Sequence, residues 1–532
     1  MKKYLIISCF AWLLFSSCSK YLDIPPQNAI TDEQIKELLQ SGDDAKIELV
    51  LGGLADALPA LFRGGGGHAG SDSRYSSFQA QNVMRTLQGN DVCFGLSQPI
   101  GVGTIWGLDE YRNGDYTSRN VDKNPMYWLP YWDLITTANK LLFYLTDELV
   151  GNNLKMKEYK ARALVIRSFA YNYLMETYQD AYMQGGNEKL GLMLYDYYSP
   201  TQPYKPRETA VKTYEFIIGD IKEAISLLTD AGKGITSTNT EDIDLAVANF
   251  ILARAALCTG DWTATITACN TILNVYNTLI PEDAYGSFVE EGPDRFVYGE
   301  TNAFLNHAVN PEVILGYHRE RSNKAHSSWY NAFSNASIQT VLCIDDRLYN
   351  AISDDDFRKN AFLDKEYGEY VSLTGTRGVI PAYANFKFSC SHGLEYSELN
   401  RNTNNVCDTY MRASEALLMK AEAQAQSGDS NGAKATLNIL LAARTKADSP
   451  TLTCDNYPAM AGMTALQMVQ LQTRIEMWGE KCVEFFNNKR WGIDMDRSTS
   501  MNHYDKSKRE FKRMTLQIPD NEMINNPLCQ QN

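Results

Sequence analysis

The sequence predicts a mainly α-helical protein in which a scaffold of paired helices supports a large, irregular, loop-rich half. Two observations place the helix pairs: Asp408 to Arg444 and Leu245 to Leu273 each read as helix, Gly-Asp turn and helix. A third places the loops: two stretches, about 64–127 and about 276–407, lack sustained helical spacing yet are dense in rings.

In the Asp408–Arg444 pair, Ser414, Leu417, Leu418, Ala421 and Ala425 recur at three- and four-residue steps and share one face. Gly428 suits the left-handed closing position of a helix, and Asp429 the cap of the next. The second helix carries Ala433, Leu437, Leu440, Leu441 and Arg444. Phe250 to Thr259 repeats the Ala-rich apolar pattern, stops at Gly260-Asp261-Trp262 and resumes to Leu273. Two such units resemble tetratricopeptide-type repeats, whose period is about 34 residues. Neither pair can bury its apolar stripe alone, so each needs neighbours.

Other elements follow in order. Thr31 to Gln40 and Asp44 to Phe62 read as helices, and Gly64 to Gly67 as a turn, since no Gly-Lys-Ser/Thr follows to make a phosphate loop. Trp128 to Leu149 has Trp128, Trp132, Ile135, Asn139 and Leu142 on one side, and Lys157 to Tyr178 pairs with it. Pro200, Pro203 and Pro206 stiffen the connection to an Arg207–Leu228 helix. Val313 to Tyr317 suggests a short strand. Thr464 to Asn487 reads as the last long helix, before an extended tail. Without a Pro/Ser-rich linker, residues 31–532 are expected to form a single domain with the two loop insertions.

The N-terminus predicts location. Lys2 and Lys3 precede an apolar run from Tyr4 to Phe15, shorter than the about 20 residues of a spanning helix. Residues 1–17 fit a signal peptide. Phe15-Ser16-Ser17-Cys18 resembles a bacterial lipobox, making Cys18 the lipidation site and 18–30 a lipidated tether. Several acyl chains on one cysteine anchor stably.

Charge and residue types exclude several classes. The formal net charge of -14 argues against nucleic acid and acidic surfaces as partners. The six histidines show no metal spacing, and no Gly-x-Ser-x-Gly elbow occurs, so no catalytic residues and no metal ligands are assigned. Asp345-Asp346 and Asp354-Asp355-Asp356 read as solvated turns. A structural Ca²⁺ has no supporting motif, and no other cofactor is implied. Glu476 and Glu480, one turn apart, are expected to pair with Arg474, Lys481 or Arg490. Of eleven cysteines, Cys258, Cys269 and Cys482 fit helical core patterns, and a disulfide among Cys390, Cys407 and Cys454 is left open.

Several motifs together resemble one family, the SusD/RagB-like outer-membrane nutrient-binding lipoproteins. Trp128, Ile135 and Asn139 match its W…I…N helix, and Leu437-Asn438 through Arg444 its LN-x-x-R-x-R segment. Arg474-Ile475-Glu476-Met477-Trp478-Gly479-Glu480, Phe485-Phe486 and Lys489-Arg490-Trp491-Gly492 resemble its R-x-E-L-x-x-E-G…F-x-D-x-K-R-W-G signature, with Lys481 in place of the usual Gly. The tail Ile518-Pro519…Glu522…Asn526-Pro527…Gln531-Asn532 resembles its closing motif. The resemblance implies a tetratricopeptide-like scaffold with a ligand-facing irregular half. It also implies a surface-exposed, lipid-anchored, non-catalytic role: binding glycan and delivering it to a TonB-dependent outer-membrane transporter (SusC-like), docked on the helical half. A peptide ligand, as in the RagB branch, is the variant; a surface glycoside hydrolase and a pure assembly scaffold are the alternatives from other classes.

The candidate ligand-binding residues come from the ring-rich loops. A flat ring covers the apolar C–H face of a sugar while polar side chains answer its hydroxyls. Trp329 and Tyr330 come first, following the Val313–Tyr317 run, and Trp106 second. Arg321, Tyr298, Tyr285 and Arg74 are the accompanying polar or stacking candidates.

Overall fold

The computed structural model describes residues 31–55, 78–94, 118–120, 124–199, 201, 203–286, 288–292, 295–298, 302–304, 306–319, 342–371, 377–388 and 406–532. Its helices are α1 Asp32–Gln40, α2 Asp44–Ala55, α3 Phe78–Thr86, α4 Leu129–Tyr144, α5 Leu154–Tyr178, α6 Ala210–Asp230, α7 Leu245–Thr259, α8 Trp262–Leu273, α9 Ala413–Gln426, α10 Ser430–Ala443, α11 Ala465–Glu476 and α12 Val483–Trp491, with shorter ones between. Residues 56–62 of the expected Asp44–Phe62 helix lie outside the described residues.

The helix starts obey local chemistry. Thr31 Oγ1 accepts from Gln34 N–H while Gln34 Oε1 accepts from Thr31 N–H, a capping box that Thr464 and Gln467 repeat on α11. The two Gly-Asp turns are the same device. Gly260 and Gly428 sit at φ 80° and 91°, and the next N–H reaches back to Ala256 O and Gln424 O, both at 2.9 Å. Asp261 and Asp429 then accept from the N–H groups of Ala264 and Gly432 and open the second helix.

Helices α4 to α8 each pack on the next in sequence, and α8 packs on α9. The pair α9–α10 then closes against α11. The whole loop-rich stretch between Leu273 and Ala413 is therefore an insertion between two neighbours in the stack. α5 is buried on nearly all sides, from Met156 to Tyr178, because α4 and α6 flank it. One contiguous apolar core runs from Leu39 to Cys529.

Short antiparallel strand pairs organise the insertion. β2 Phe288–Gly292 pairs with β3 Arg295–Tyr298, and β6 Tyr367–Val371 with β7 Arg377–Ile380. β4 Val313–Arg319 pairs with β8 Val406–Arg412, placing Arg319 opposite Val406. β1 Val92–Phe94 pairs with β5 Leu342–Ile344. The expected strand at Val313–Tyr317 is thus present and extends to Arg319.

Four expectations need correction. Asp408 to Arg412 is strand, not helix: Tyr410 and Met411 are buried in the pairing with β4, and Arg412 is still extended at φ -143° before α9 begins. The Thr464–Asn487 helix is broken after Glu476, where Gly479, Lys481 and Cys482 take φ of 72°, 48° and 58°. Cys482 is consequently buried at the break rather than within a helix. Helix α3, inside a stretch without periodicity, was invisible because its buried residues are mixed: Gln81, Asn82 and Arg85 are enclosed along with Phe78 and Met84. Asn82 makes that worthwhile, since its amide bonds Gly479 O at 3.0 Å and Cys482 N–H at 2.7 Å and so pins the break. Finally, the Asp pairs are not solvated turns. Asp345, Asp346 and Asp356 are buried and hydrogen-bonded, for example Asp346 to Met501 N–H at 2.7 Å; only Asp354 is exposed.

Cys258 and Cys269 are buried free thiols, as their helical pattern predicts, and Cys454 is also a free thiol. Cys390 lies outside the described residues.

The left-handed turn at Gly428 gives a direct test. A Cβ there meets no atom within 4 Å, so Gly428→Ala carries only the backbone cost. Urea unfolding should show a loss of about 1–2 kcal/mol, while Gly219→Ala, an open site inside α6, should stabilise by roughly 0.5–1 kcal/mol.

Candidate functional site

Where the broken helix α11, the ends of β8 and α10, and the inserted segments meet, the interior holds four cations and four carboxylates: Arg358, Lys387, Arg412 and Arg444 with Glu312, Asp356, Glu476 and Glu480. Arg412 Nη1 donates to Glu312 and Glu476, and its Nε and Nη2 to Glu480, all at 2.8 Å. Arg444 bonds Glu476 through Nε at 3.0 Å and Glu312 through Nη2 at 2.7 Å. Arg358 joins Asp356 to Glu476, the latter at 3.0 Å. Lys387 donates to Glu480 at 2.6 Å and to the carbonyls of Glu476 and Trp478 at 2.7 and 3.0 Å, satisfying the end of α11.

Burial pushes the Glu476 carboxyl up, but Arg444, Arg412 and Arg358 together hold it well below the usual carboxylate range. Glu480 is likewise opposed by burial and drawn down to about 2 by Arg412 and Lys387. Burial takes the Lys387 ammonium down to about 8 against the pull of Glu480. The expected partners of the two glutamates are corrected by this geometry. Arg474 pairs with Asp91, Lys481 with Glu415 and Arg490 with Glu422. Each of these cations instead meets a carboxylate far off in the chain.

Tyr285 belongs to this cluster and not to a ligand surface. It is 4% exposed, its ring lies 4.9 Å from Phe304 and 5.4 Å from Phe357, and the Arg444 guanidinium sits 5.1 Å above it. Its hydroxyl donates to Glu476 O at 3.4 Å. Tyr298 stands at the end of β3, opposite Phe288 in the β2–β3 hairpin. Trp329, Tyr330, Trp106, Arg321, Arg74 and the Cys18 lipidation site lie outside the described residues. The structure fixes the exit of the segment that carries Arg321, Trp329 and Tyr330: it follows β4, whose last residue, Arg319, is paired with the first of β8.

Glu476 and Glu480 cannot serve as a hydrolytic carboxylate pair, which needs an open cleft and a free acid. Both are buried and occupied by guanidinium groups. Among the described residues, no group of three or more His, Cys, Asp or Glu is placed to hold a metal. None of the described helices is long and apolar enough to cross a membrane.

Residues 285–532 match the family model described as the SusD family, and residues 84–251 match one described as starch-binding associating with outer membrane. The chain belongs to the SusD family. Similar solved structures include a SusD-like carbohydrate binding protein from Bacteroides vulgatus, at 18% identity and TM-score 0.64, covering 93% of this chain and 97% of that one. A SusD superfamily protein from Bacteroides thetaiotaomicron aligns at 19% identity and TM-score 0.66, covering 92% and 99%. Another from Bacteroides fragilis aligns at 18% and 0.66, covering 91% and 98%. At these identities the likeness is one of fold. No curated protein matches the chain.

Removing one member of the charge cluster should be costly, because its partners stay buried. Arg412→Met should lower the unfolding free energy by roughly 3–5 kcal/mol in urea. The pH dependence follows from Glu480, whose folded value of about 2 lies below its ordinary 4.5. Its contribution is complete above 4.5 and lost as pH falls toward 2, on the order of 3 kcal/mol in acid titrations of stability; Glu480→Gln should flatten that window.

Proposed function

We propose that this protein is a non-catalytic, glycan-binding lipoprotein of the outer-membrane surface that captures oligosaccharide and passes it to a TonB-dependent transporter. The match of residues 84–251 to a family model described as starch-binding associating with outer membrane carries this reading. The carbohydrate binding protein from Bacteroides vulgatus, similar in fold over nearly the whole chain, supports it.

Chemically, the paired helices act as the rigid body and the insertion between α8 and α9 as the ligand-facing part. Trp329 and Tyr330, which follow β4 in sequence, stack on sugar C–H faces; Trp106 adds a ring from the earlier loop. Arg321, Arg74 and Tyr298 answer hydroxyls. Tyr285 is withdrawn from this set because it is enclosed in the core. Binding of this kind needs neither cofactor nor metal. The helical half offers the face for the transporter, and Cys18 carries the lipid.

Affinity electrophoresis against soluble polysaccharides tests the ligand class. One glycan should retard the protein in the presence of EDTA, and Trp329→Ala or Trp106→Ala should lose most of that retardation while melting normally. Retardation by no glycan, with binding to a peptide pool, transfers the reading to a RagB-like peptide carrier. Cys18→Ala should release the protein from the membrane fraction and abolish incorporation of labelled palmitate; membrane retention of that variant refutes the anchor.

A further inference from the structure

A cavity lies in the helical scaffold where α5, α7, the start of α9 and strand β8 meet. It measures about 60 Å³, where roughly 10–15 Å³ admits one water, so it has room for a small cluster of waters or one small ring. Phe78, Phe169, Phe250, Tyr410 and Phe486 form its apolar walls. Phe78 and Tyr410 are tilted at 60° with centroids 5.0 Å apart, an angular lining against which a further ring packs edge to face.

A charged strip of Glu176, Arg254, Glu415 and Lys481 crosses one side of the lining. Arg254 holds Glu176 through Nε and Nη2 at 3.1 and 3.0 Å and Glu415 through Nη1 at 2.8 Å, and Lys481 donates to the other oxygen of Glu415. Each of the four carboxylate oxygens therefore has a donor. The cations have donors to spare, because an ammonium offers three N–H groups and a guanidinium five. Among the described residues, Lys481 spends one of its N–H groups and Arg254 three. Neither cation is fully enclosed: side-chain exposure is 20% at Arg254 and 11% at Lys481, against 4% at Glu415. The strip is short of acceptors, not of donors.

Lys481 is the sharpest pointer. Its φ of 48° is a left-handed backbone that favours glycine, and other residues held in such conformations cluster at binding sites. The strained backbone carries an ammonium to the cavity wall. Its Nζ stands beside Glu415 and 5.6 Å from the centroid of the Phe250 ring, and both of those residues line the cavity. Burial draws this ammonium below its ordinary range although Glu415 and Glu480 pull the other way, as expected of a cation with too few polar neighbours. The two cations and two carboxylates of the strip balance, so a guest of either charge would face repulsion from half of it.

We propose that this cavity binds a single small neutral ring whose one polar atom is a hydrogen-bond acceptor, a pyridine-type heteroaromatic or a cyclic ketone, with that acceptor on the Lys481 ammonium. A sugar ring fits poorly, since its several hydroxyls would face phenyl walls. The proposal is independent of the glycan reading, and the two can fail separately.

Ligand-observed NMR on the full chain tests it, with pyridine and benzene as probes at a mildly alkaline pH where pyridine is neutral. Both should bind the wild-type chain, and each should displace the other. Lys481→Met, close in length but without N–H groups, should weaken pyridine several-fold and leave benzene unchanged or tighter. Lys481→Gly, which relaxes the left-handed backbone, should show the same loss of selectivity and serves if the Met variant does not fold. Phe250→Trp, which narrows the cavity, should weaken both probes. No binding of pyridine to the wild-type chain would mean a cavity holding water only and would overturn the proposal. A pyridine-to-benzene affinity ratio that survives the loss of the ammonium would overturn it as well.

Discussion

The buried cluster of Arg358, Lys387, Arg412 and Arg444 with Glu312, Asp356, Glu476 and Glu480 constrains the rest of the molecule. Each ion costs several kcal/mol to take out of water, and only near-complete pairing repays that. Four members come from places where the chain changes direction: Arg412 at the end of β8, Arg444 at the end of α10, Glu476 at the end of α11, and Glu312 just before β4. Arg412, Arg444, Glu312 and Glu476 find their partners only where these ends converge, whereas Arg358 and Asp356 also bond each other locally. Packed apolar residues could match such a cluster in stability. What oil could not supply is the directional demand that fixes how the insertion meets the scaffold.

That demand matters because of the topology. Helices α8 and α9 pack as neighbours although the whole loop-rich insertion separates them in sequence. Closing so long a loop carries an entropic cost that grows slowly with length. The β4–β8 ladder and the charge cluster hold its two ends together at the scaffold. A long excursion with both ends anchored on a rigid body suits recognition, since its interior can vary without disturbing the stack.

The polar interior also accounts for what sequence reasoning misread. Helical pattern is legible when one face is apolar, as at Leu417, Leu418 and Ala421 or in the Phe250–Leu257 run, and those elements stand where they were expected. It fails for α3, which buries Gln81, Asn82 and Arg85 beside Phe78 and Met84, and at Lys481 and Cys482, whose left-handed backbone no local signal announces. Such strain, about 1–2 kcal/mol per residue, persists because Asn82, Lys387 and Glu415 hold the surrounding groups from elsewhere in the chain. Of the candidate site, the rings were legible as a cluster in the sequence, but not which of them bury: Tyr285 reads like its neighbours and is enclosed.

The sequence by itself determined the paired helices, their Gly-Asp turns, the loop-rich insertion and the family, because caps, turn residues and apolar spacing act within a few residues of each other. That Arg412 ends a strand, and that Glu476 and Glu480 face guanidinium groups far off in the chain, was settled only by the packed fold. Those outcomes depend on which charges share a low-dielectric interior, and charge pairing at long range leaves no periodic trace in the chain.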